Sequence, residues 1–244
     1  MLEALRAGTG IERLYLAEGQ EPASALEEMT RRARAASAIV TIVPRQALDR
    51  LAGGGHHQGV VAQVAEYEYA TIEELLAIAA KRNEPPLLVV LDSLQDPQNL
   101  GALIRTAEAV GAHGIILPRH RSVGVTGTVV KASAGAIEHL RVARVSSLQA
   151  GLGELKLAGV WVVGLSAEAP QDYDRYDYRV PTALIVGAEG AGISRLVAER
   201  CDTAVRLPQR GRVGSLNAAV AGSIVLYHAW RQRSEPAPTP AQPE

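Results

Sequence analysis

The chain has 244 residues, 47% of them apolar, and 25 Lys and Arg against 26 Asp and Glu give a formal net charge of −1. That apolar content supplies a packed core, while no apolar run approaches the roughly 20 residues of a membrane span and "MLEALRAGTG" lacks the apolar centre of a signal peptide, so a cytoplasmic globular protein with no membrane contact is expected. The single cysteine, Cys201, can close no internal disulfide and has no second thiol for a zinc pair, the absence of Phe argues against a base-stacking RNA platform, and the balanced charge provides no long-range field toward nucleic acid.

Residues 1–66 predict a small α/β unit. "LEALRAG" reads as a short helix ending at Gly8, "IERLYLAEG" as a strand, and "SALEEMTRRARAAS" as an amphipathic helix. A strand "AIVTIVP", a helix "RQALDRL", a glycine turn and a closing strand "GVVAQVAEY" follow. Residues 67–86 hold the helix "TIEELLAIAAKR", stopped by the prolines of "NEPP", and predict a helical linker. From 87 to 233 the chain alternates strand and helix: "LLVVLDSL", "NLGALIRTAEAVG", "HGIILP", "GTVVKASAGAIEHL", "LQAGLGELKLAG", "VWVVGLSA", "TALIVGAEGAG", "AVRLP" and "SLNAAVAGSIVLYHAWRQ". Uniformly apolar runs such as Leu87 to Leu91 and Ala183 to Val186 suit the interior of a parallel sheet covered by helices. The end, 234–244, is rich in proline and polar residues with nothing large to bury and is expected to be a disordered tail.

Three segments fall at strand ends, where open α/β sheets collect ligands. In "DPQNLGALIRTAE", Asp96 can cap a helix with Pro97 as its first residue, Gly101 can allow close packing, and Arg105 can pair with Glu108 one turn on. In "IVGAEGAGIS", glycines surround Glu189 between a buried strand and a helix, which suits either a tight turn or a close backbone approach to a ligand, but it is no dinucleotide fingerprint. In "LPQRGRVGSLNAAVAGSIVLY", Ser215 reads as an N-cap and Asn217 as a first-turn residue, while Ala218, Ala219, Ala221 and Gly222 imply that the helix packs closely on a neighbour.

In this order, the Asn99-to-Arg105 spacing, the G-x-E-G at Gly187 to Gly190 and the S-L-N at Ser215 to Asn217 resemble the SpoU/TrmH family of SPOUT RNA methyltransferases. "HQGVVA" at 57–62 and "KASAGAIEHLRVARV" at 131–145 look closest to its bacterial RlmB branch, the 23S rRNA guanosine 2′-O-methyltransferases. Periodicity alone leads to a doubly wound parallel sheet, since knots are nearly absent among folds. The resemblance implies instead a SPOUT domain with a deep trefoil knot, an N-terminal RNA-binding domain similar to ribosomal L30e, S-adenosylmethionine as cofactor, and a homodimer formed through the knotted domain.

The same resemblance assigns Gly187, Leu207 and Leu216 to the cofactor, and Asn99, Arg105, Glu189, Ser215 and Asn217 to catalysis. A guanidinium stays protonated in proteins, so Arg105 is better suited to positioning a phosphate and stabilising a developing alkoxide than to acting as base; Asn99, Ser215 and Asn217 would orient it and the ribose, and Glu189 would hold the guanidinium or take the proton. Arg210, Arg212, Arg119, Arg121 and His57 are the candidate RNA contacts, Arg31, Arg32 and Arg34 read first as a solvated helix face, and no metal site is expected. The family's Gly-Arg-Asn-type opening before "EALRAG" is absent, so the first domain is expected to be shortened at its start; Gln209 stands where methionine is usual, and "SLNAA" replaces "SLNVS". A tRNA or resistance-type rRNA ribose methyltransferase on the same scaffold, and a noncatalytic RNA-binding assembly factor, are the competing readings.

Overall fold

The computed structural model describes residues 11–19, 24–64, 67–211 and 214–235. The expected opening helix in "LEALRAG", Arg212 and nearly all of the proline-rich tail lie outside these residues. Two compact units divide between Glu68 and Tyr69.

In the first unit, β1 (Ile11–Ala17) is the centre of a three-stranded sheet, flanked by β2 (Ile39–Val43) and β3 (Val60–Val64). The helix α1 (Ser24–Ala35) carries the chain from β1 to its parallel neighbour β2, and α2 (Arg45–Leu51) leads to the antiparallel β3. Ile11, Leu14 and Leu16 of β1 pack with Ala33 and Met29 of α1, so the sheet buries one face as its residue pattern requires.

The second unit begins with α3 (Ile72–Arg82), opened by a reciprocal capping box between Thr71 and Glu74 and closed at Asn83 in the left-handed conformation, φ 54°. Its Ile72, Leu75 and Ala79 are buried, and Leu75 sits so close above Gly114 that a Cβ there would meet its Cδ2 at 2.5 Å. The segment expected as a linker is therefore part of the second unit's core: an apolar face at helical spacing needed a sheet to cover it.

A parallel seven-stranded sheet organises this unit, in the order β6-β5-β4-β9-β7-β10-β8. Its strands are β4 (Leu87–Leu91), β5 (Gly114–Pro118), β6 (Val142–Val145), β7 (Trp161–Leu165), β8 (Gln171–Asp172), β9 (Thr182–Val186) and β10 (Thr203–Arg206). The central pair, β4 and β9, is buried at every position, as the uninterrupted apolar runs predict. The short strands β6 and β8 are not evident from periodicity: β6 has four residues with Arg144 among them, and β8 has two.

After β4 the chain builds outward through α4 (Pro97–Ala109), β5, α5 (Gly127–Ala132) and β6, then crosses by α6 (Leu148–Leu157) to β7 on the far side of β9. The order thus reverses between β4 and β9, a switch point of the kind beside which open α/β sheets bind ligands. The chain returns through the single-turn α7 (Arg195–Ala198) to β10 and ends in α8 (Ala218–Ser234). Gly222 brings α8 onto the sheet, since a Cβ would lie 2.8 Å from Leu103 Cδ2 and 3.0 Å from Val186 Cγ2. Near its end, the Arg233 guanidinium donates to the carbonyls of Pro85, Pro86, Tyr178 and Val180, fastening α8 to the segments that enter β4 and β9. Among the described residues no helix is long and apolar enough to cross a membrane.

Candidate active site

Asp92, the residue after β4, is only 4% exposed. Its N–H donates to Val186 at the end of β9 (2.9 Å), and its carboxylate accepts from the Ser93 hydroxyl (3.1 Å) and the Ser194 N–H (2.7 Å). One buried carboxylate thus ties the turn leading into α4 to the far end of the glycine loop after β9. That loop folds on itself through paired Ala188 and Gly192 backbone bonds of 3.0 and 2.9 Å, and a Cβ on Gly187 would overlap the Gly192 backbone, so the bare glycine is required there.

The turn after β4 enters α4 as its sequence prescribes: Asp96 caps it, accepting from Gln98 N–H at 2.9 Å, and Pro97 is the first helical residue. Gly101 lets α4 touch α5, because a Cβ would overlap that of Ala132. Asn99 is buried at 6% exposure and points inward from the first turn. Its Nδ2 donates to Glu189 Oε1 at 2.8 Å, and its Oδ1 accepts from Asn217 Nδ2 at 2.9 Å. Asn217 Nδ2 also donates to Glu189 Oε1, closing a triangle of three side chains 90, 118 and 28 positions apart in pairs.

The cap of α8 is Asn217, whose Oδ1 accepts the Val220 N–H at 3.1 Å; Ser215, the cap expected from sequence, lies two residues before that cap. The correction has a physical basis, because an asparagine side chain accepts the cap bond with its oxygen while its amide stays free to donate to Asn99 and Glu189. Arg105 is exposed and, among the described residues, makes neither the expected ion pair with Glu108 nor a hydrogen bond to the Asn99, Glu189 and Asn217 triangle. Six residues separate it from Asn99, which puts it about 9 Å further along the helix and roughly 120° around it.

Beside the triangle lies a cavity of about 610 Å³ at the carboxyl ends of β9, β7 and β10, within the size range of a small-ligand site. The three residues assigned to the cofactor, Gly187, Leu207 and Leu216, all line it, together with Glu189 and Ser215. Sequence reasoning missed the contribution of the turn after β7, where Ser166 and Glu168 join the wall, and of Cys201. Burial pushes the Cys201 thiol up to about 11, against the attraction of nearby Lys156, so it is a neutral wall group and not a nucleophile near pH 7.

The candidate RNA contacts divide. Arg119 and Arg121 are exposed in the turn after β5, where Arg144 donates to the Arg119 carbonyl at 3.0 Å and stacks its guanidinium 5.0 Å from the Tyr69 ring centre. Arg210 is exposed next to the lining residue Gln209. His57, in the first unit, has both ring nitrogens occupied: Nδ1 accepts from Gly59 N–H at 3.0 Å and Nε2 bonds Asp49 at 2.9 Å. It fastens the glycine turn to α2 and has no free ring N–H for a phosphate.

Comparison with known proteins decides what this arrangement belongs to. The SpoU rRNA Methylase family profile matches residues 86–227, and the profile for RNA 2′-O ribose methyltransferase substrate binding matches residues 1–70. The chain belongs to the SpoU/TrmH family of RNA methyltransferases. A Bacillus subtilis (strain 168) relative that carries the name of a TrmH family tRNA/rRNA methyltransferase is 46% identical over 234 residues, spanning 96% of this chain and 93% of its own. Among solved structures, the SpoU methyltransferase AviRb from Streptomyces viridochromogenes in complex with AdoMet aligns with a TM-score of 0.73 at 29% identity, covering 95% of this chain and 87% of that one. An AdoMet-bound rRNA methyltransferase from Sinorhizobium meliloti aligns with a TM-score of 0.72 at 30% identity, covering 94% and 83%. The three segments that carry the resemblance meet at the triangle of Asn99, Glu189 and Asn217, and the second and third of them line the cavity.

Proposed function

We propose that the protein transfers a methyl group from S-adenosylmethionine to the ribose 2′-hydroxyl of a guanosine in 23S rRNA. The observation that carries this reading is the joining of Asn99, Glu189 and Asn217 at the rim of a cavity lined by Gly187, Leu207 and Leu216. The cavity suits S-adenosylmethionine: its leucines can cover an adenine ring, backbone groups of the 187–193 and 214–216 segments can meet the ring and ribose edges, and its charged wall residues are carboxylates. When bound there, the cofactor supplies an activated methyl group on a positive sulfur.

What the chain supplies is alignment and a route for one proton. Asn99 and Asn217 hold the Glu189 carboxylate through Oε1, which leaves Oε2 to accept from a 2′-hydroxyl or a guanidinium. Ser215 stands two residues before the cap of α8, within reach of the same rim. Arg105, exposed on α4, is suited to grip the phosphate next to the target ribose and to stabilise the oxygen as it gains charge. Arg119, Arg121 and Arg210 would carry the flanking backbone; Arg212 belongs to the same set but lies outside the described residues, and His57 is reduced to a structural part.

The reading includes a trefoil knot around the cofactor loops and a homodimer in the cytoplasm. A stripe of exposed apolar residues on α8, Val220, Ile224, Tyr227 and Trp230, supports the dimer, since such a face on a monomer would remain in water. Residues 1–66 are read as the L30e-like RNA-binding domain, 87–233 as the catalytic domain, and α3 as an element of the latter. Mapping 2′-O-methylated nucleotides in rRNA and tRNA from a deletion strain tests the substrate: loss of one 23S guanosine methylation is expected, and loss of a tRNA methylation instead would reassign it. A chain that binds RNA but transfers no methyl to ribosomal RNA, precursor particles or tRNA would be an assembly factor.

A further inference from the structure

The cofactor cavity has two carboxylates in its wall, of which the reaction scheme uses only Glu189. Among its described lining residues are two carboxylates, Glu168 and Glu189, and no Lys, Arg or His. Glu189 is held by two asparagines, whereas Glu168 has no ion-pair partner among the described residues. Its backbone is fixed nonetheless: Glu168 N–H donates to the Ser166 hydroxyl at 3.4 Å, Ala169 N–H to the Ser166 carbonyl at 3.2 Å, and Ala169 is buried. Because β7 lies between β9 and β10, this turn stands between the loops that carry Gly187 and Leu207.

We infer that Glu168 is a specificity-determining residue that favours the methyl donor over its spent product. The inference rests on the S-adenosylmethionine reading of the cavity. At neutral pH the donor bears a sulfonium, an ammonium and a carboxylate and is a net monocation. S-adenosylhomocysteine, left after the methyl departs, keeps the ammonium and carboxylate and is neutral overall. A fixed negative charge attracts the first as a whole ion, while its pull on the product's ammonium is largely offset by repulsion of the product's carboxylate. Glu168 therefore biases the cavity toward the charged ligand and eases release of the neutral one, without touching the transfer step.

The test is calorimetric binding of each ligand to the full chain without RNA, for wild type, Glu168→Gln, Glu168→Asp and Glu168→Lys, at low and high salt. In Glu168→Gln the preference for donor over product falls about threefold, the size of one exposed charge pair, and in Glu168→Lys it falls further. Glu168→Asp retains the wild-type ratio, and high salt shrinks the difference between wild type and Glu168→Gln. Equal weakening of both ligands, or no change in either, overturns the inference and leaves Glu168 a solvated wall residue. Absence of donor binding to the wild-type chain would instead remove the cavity's assignment, and the inference with it.

Discussion

The cavity wall and the turn after β5, at two places on the sheet's carboxyl edge, carry opposite charge. Beyond β9 and β7 the cavity wall presents Glu189 and Glu168, whereas beyond β5 and on β6 the chain presents Arg119, Arg121 and Arg144. The triangle of Asn99, Glu189 and Asn217 sits on the border, at the switch point between β4 and β9. A cationic methyl donor and a polyanionic acceptor repel the wrong region and are drawn to the right one, so a net charge of −1 conceals two local fields of opposite sign. The reacting atoms are then brought together where the two fields meet.

The largest effect is expected at that border. Asn217→Ala removes both the cap of α8 and the donor that holds Glu189, and should lower the methyl-transfer rate constant by about a hundredfold or more, the scale of losing one positioned hydrogen-bonding group at a reacting centre. Single-turnover transfer at saturating cofactor measures it. Next comes the tether between the regions: Asp92→Ala frees the glycine loop from β4 and should weaken S-adenosylmethionine binding about tenfold and cost roughly 2 kcal/mol of stability, the scale of one lost hydrogen bond to a charged group. Asp92→Asn retains an acceptor for Ser194 and should recover most of the affinity; a purely structural Asp92 would lower the melting temperature and spare the affinity.

A gentler break separates the regions by ligand. Replacing Arg119 and Arg121 together by Ala should reduce the slope of log K for RNA against log salt by about 1.4, roughly 0.7 for each single-strand phosphate that is no longer neutralised, and leave cofactor affinity unchanged. The smallest effect lies at the opposite, amino end of the strands. His113 is 2% exposed, accepts the Leu87 N–H at Nδ1, and has its pKa lowered by burial against the opposing pull of its Glu84 hydrogen bond. The unfolded chain therefore binds this proton more readily than the folded one. Stability from His113 is complete above about pH 6.5 and is lost as pH falls below it. Thermal melts from about pH 7.5 to about pH 5.5 should show that loss, and His113→Gln should flatten it.

Much of this was legible in the residues. The apolar runs of β4 and β9, the Asp96-Pro97 entry into α4 and the small residues of α8 each have a local cause, and the structure bears out all three. Strand neighbours were not legible, because a period of two marks a strand but carries no pairing partner. Asn99, Glu189 and Asn217 stand out by residue type, yet their mutual bonds depend on the reversal of strand order that sets α4 beside the glycine loop. Asp92 was hidden in "LDSL", where an acidic residue after a buried strand looks like an ordinary turn. Ser215 and Asn217 each satisfy the composition of an N-cap, and only the position of the first α8 turn separates them.

The sharpest experiment is transfer of labelled methyl from S-adenosylmethionine to ribosomal RNA by wild-type protein and Asn217→Ala, with the product digested to nucleosides and cofactor binding measured in parallel. Label in a 2′-O-methylribose is expected for the wild type, and its loss in the variant with cofactor affinity changed by only a few fold. Label on a base, or transfer by Asn217→Ala at the wild-type rate, would contradict the proposed function.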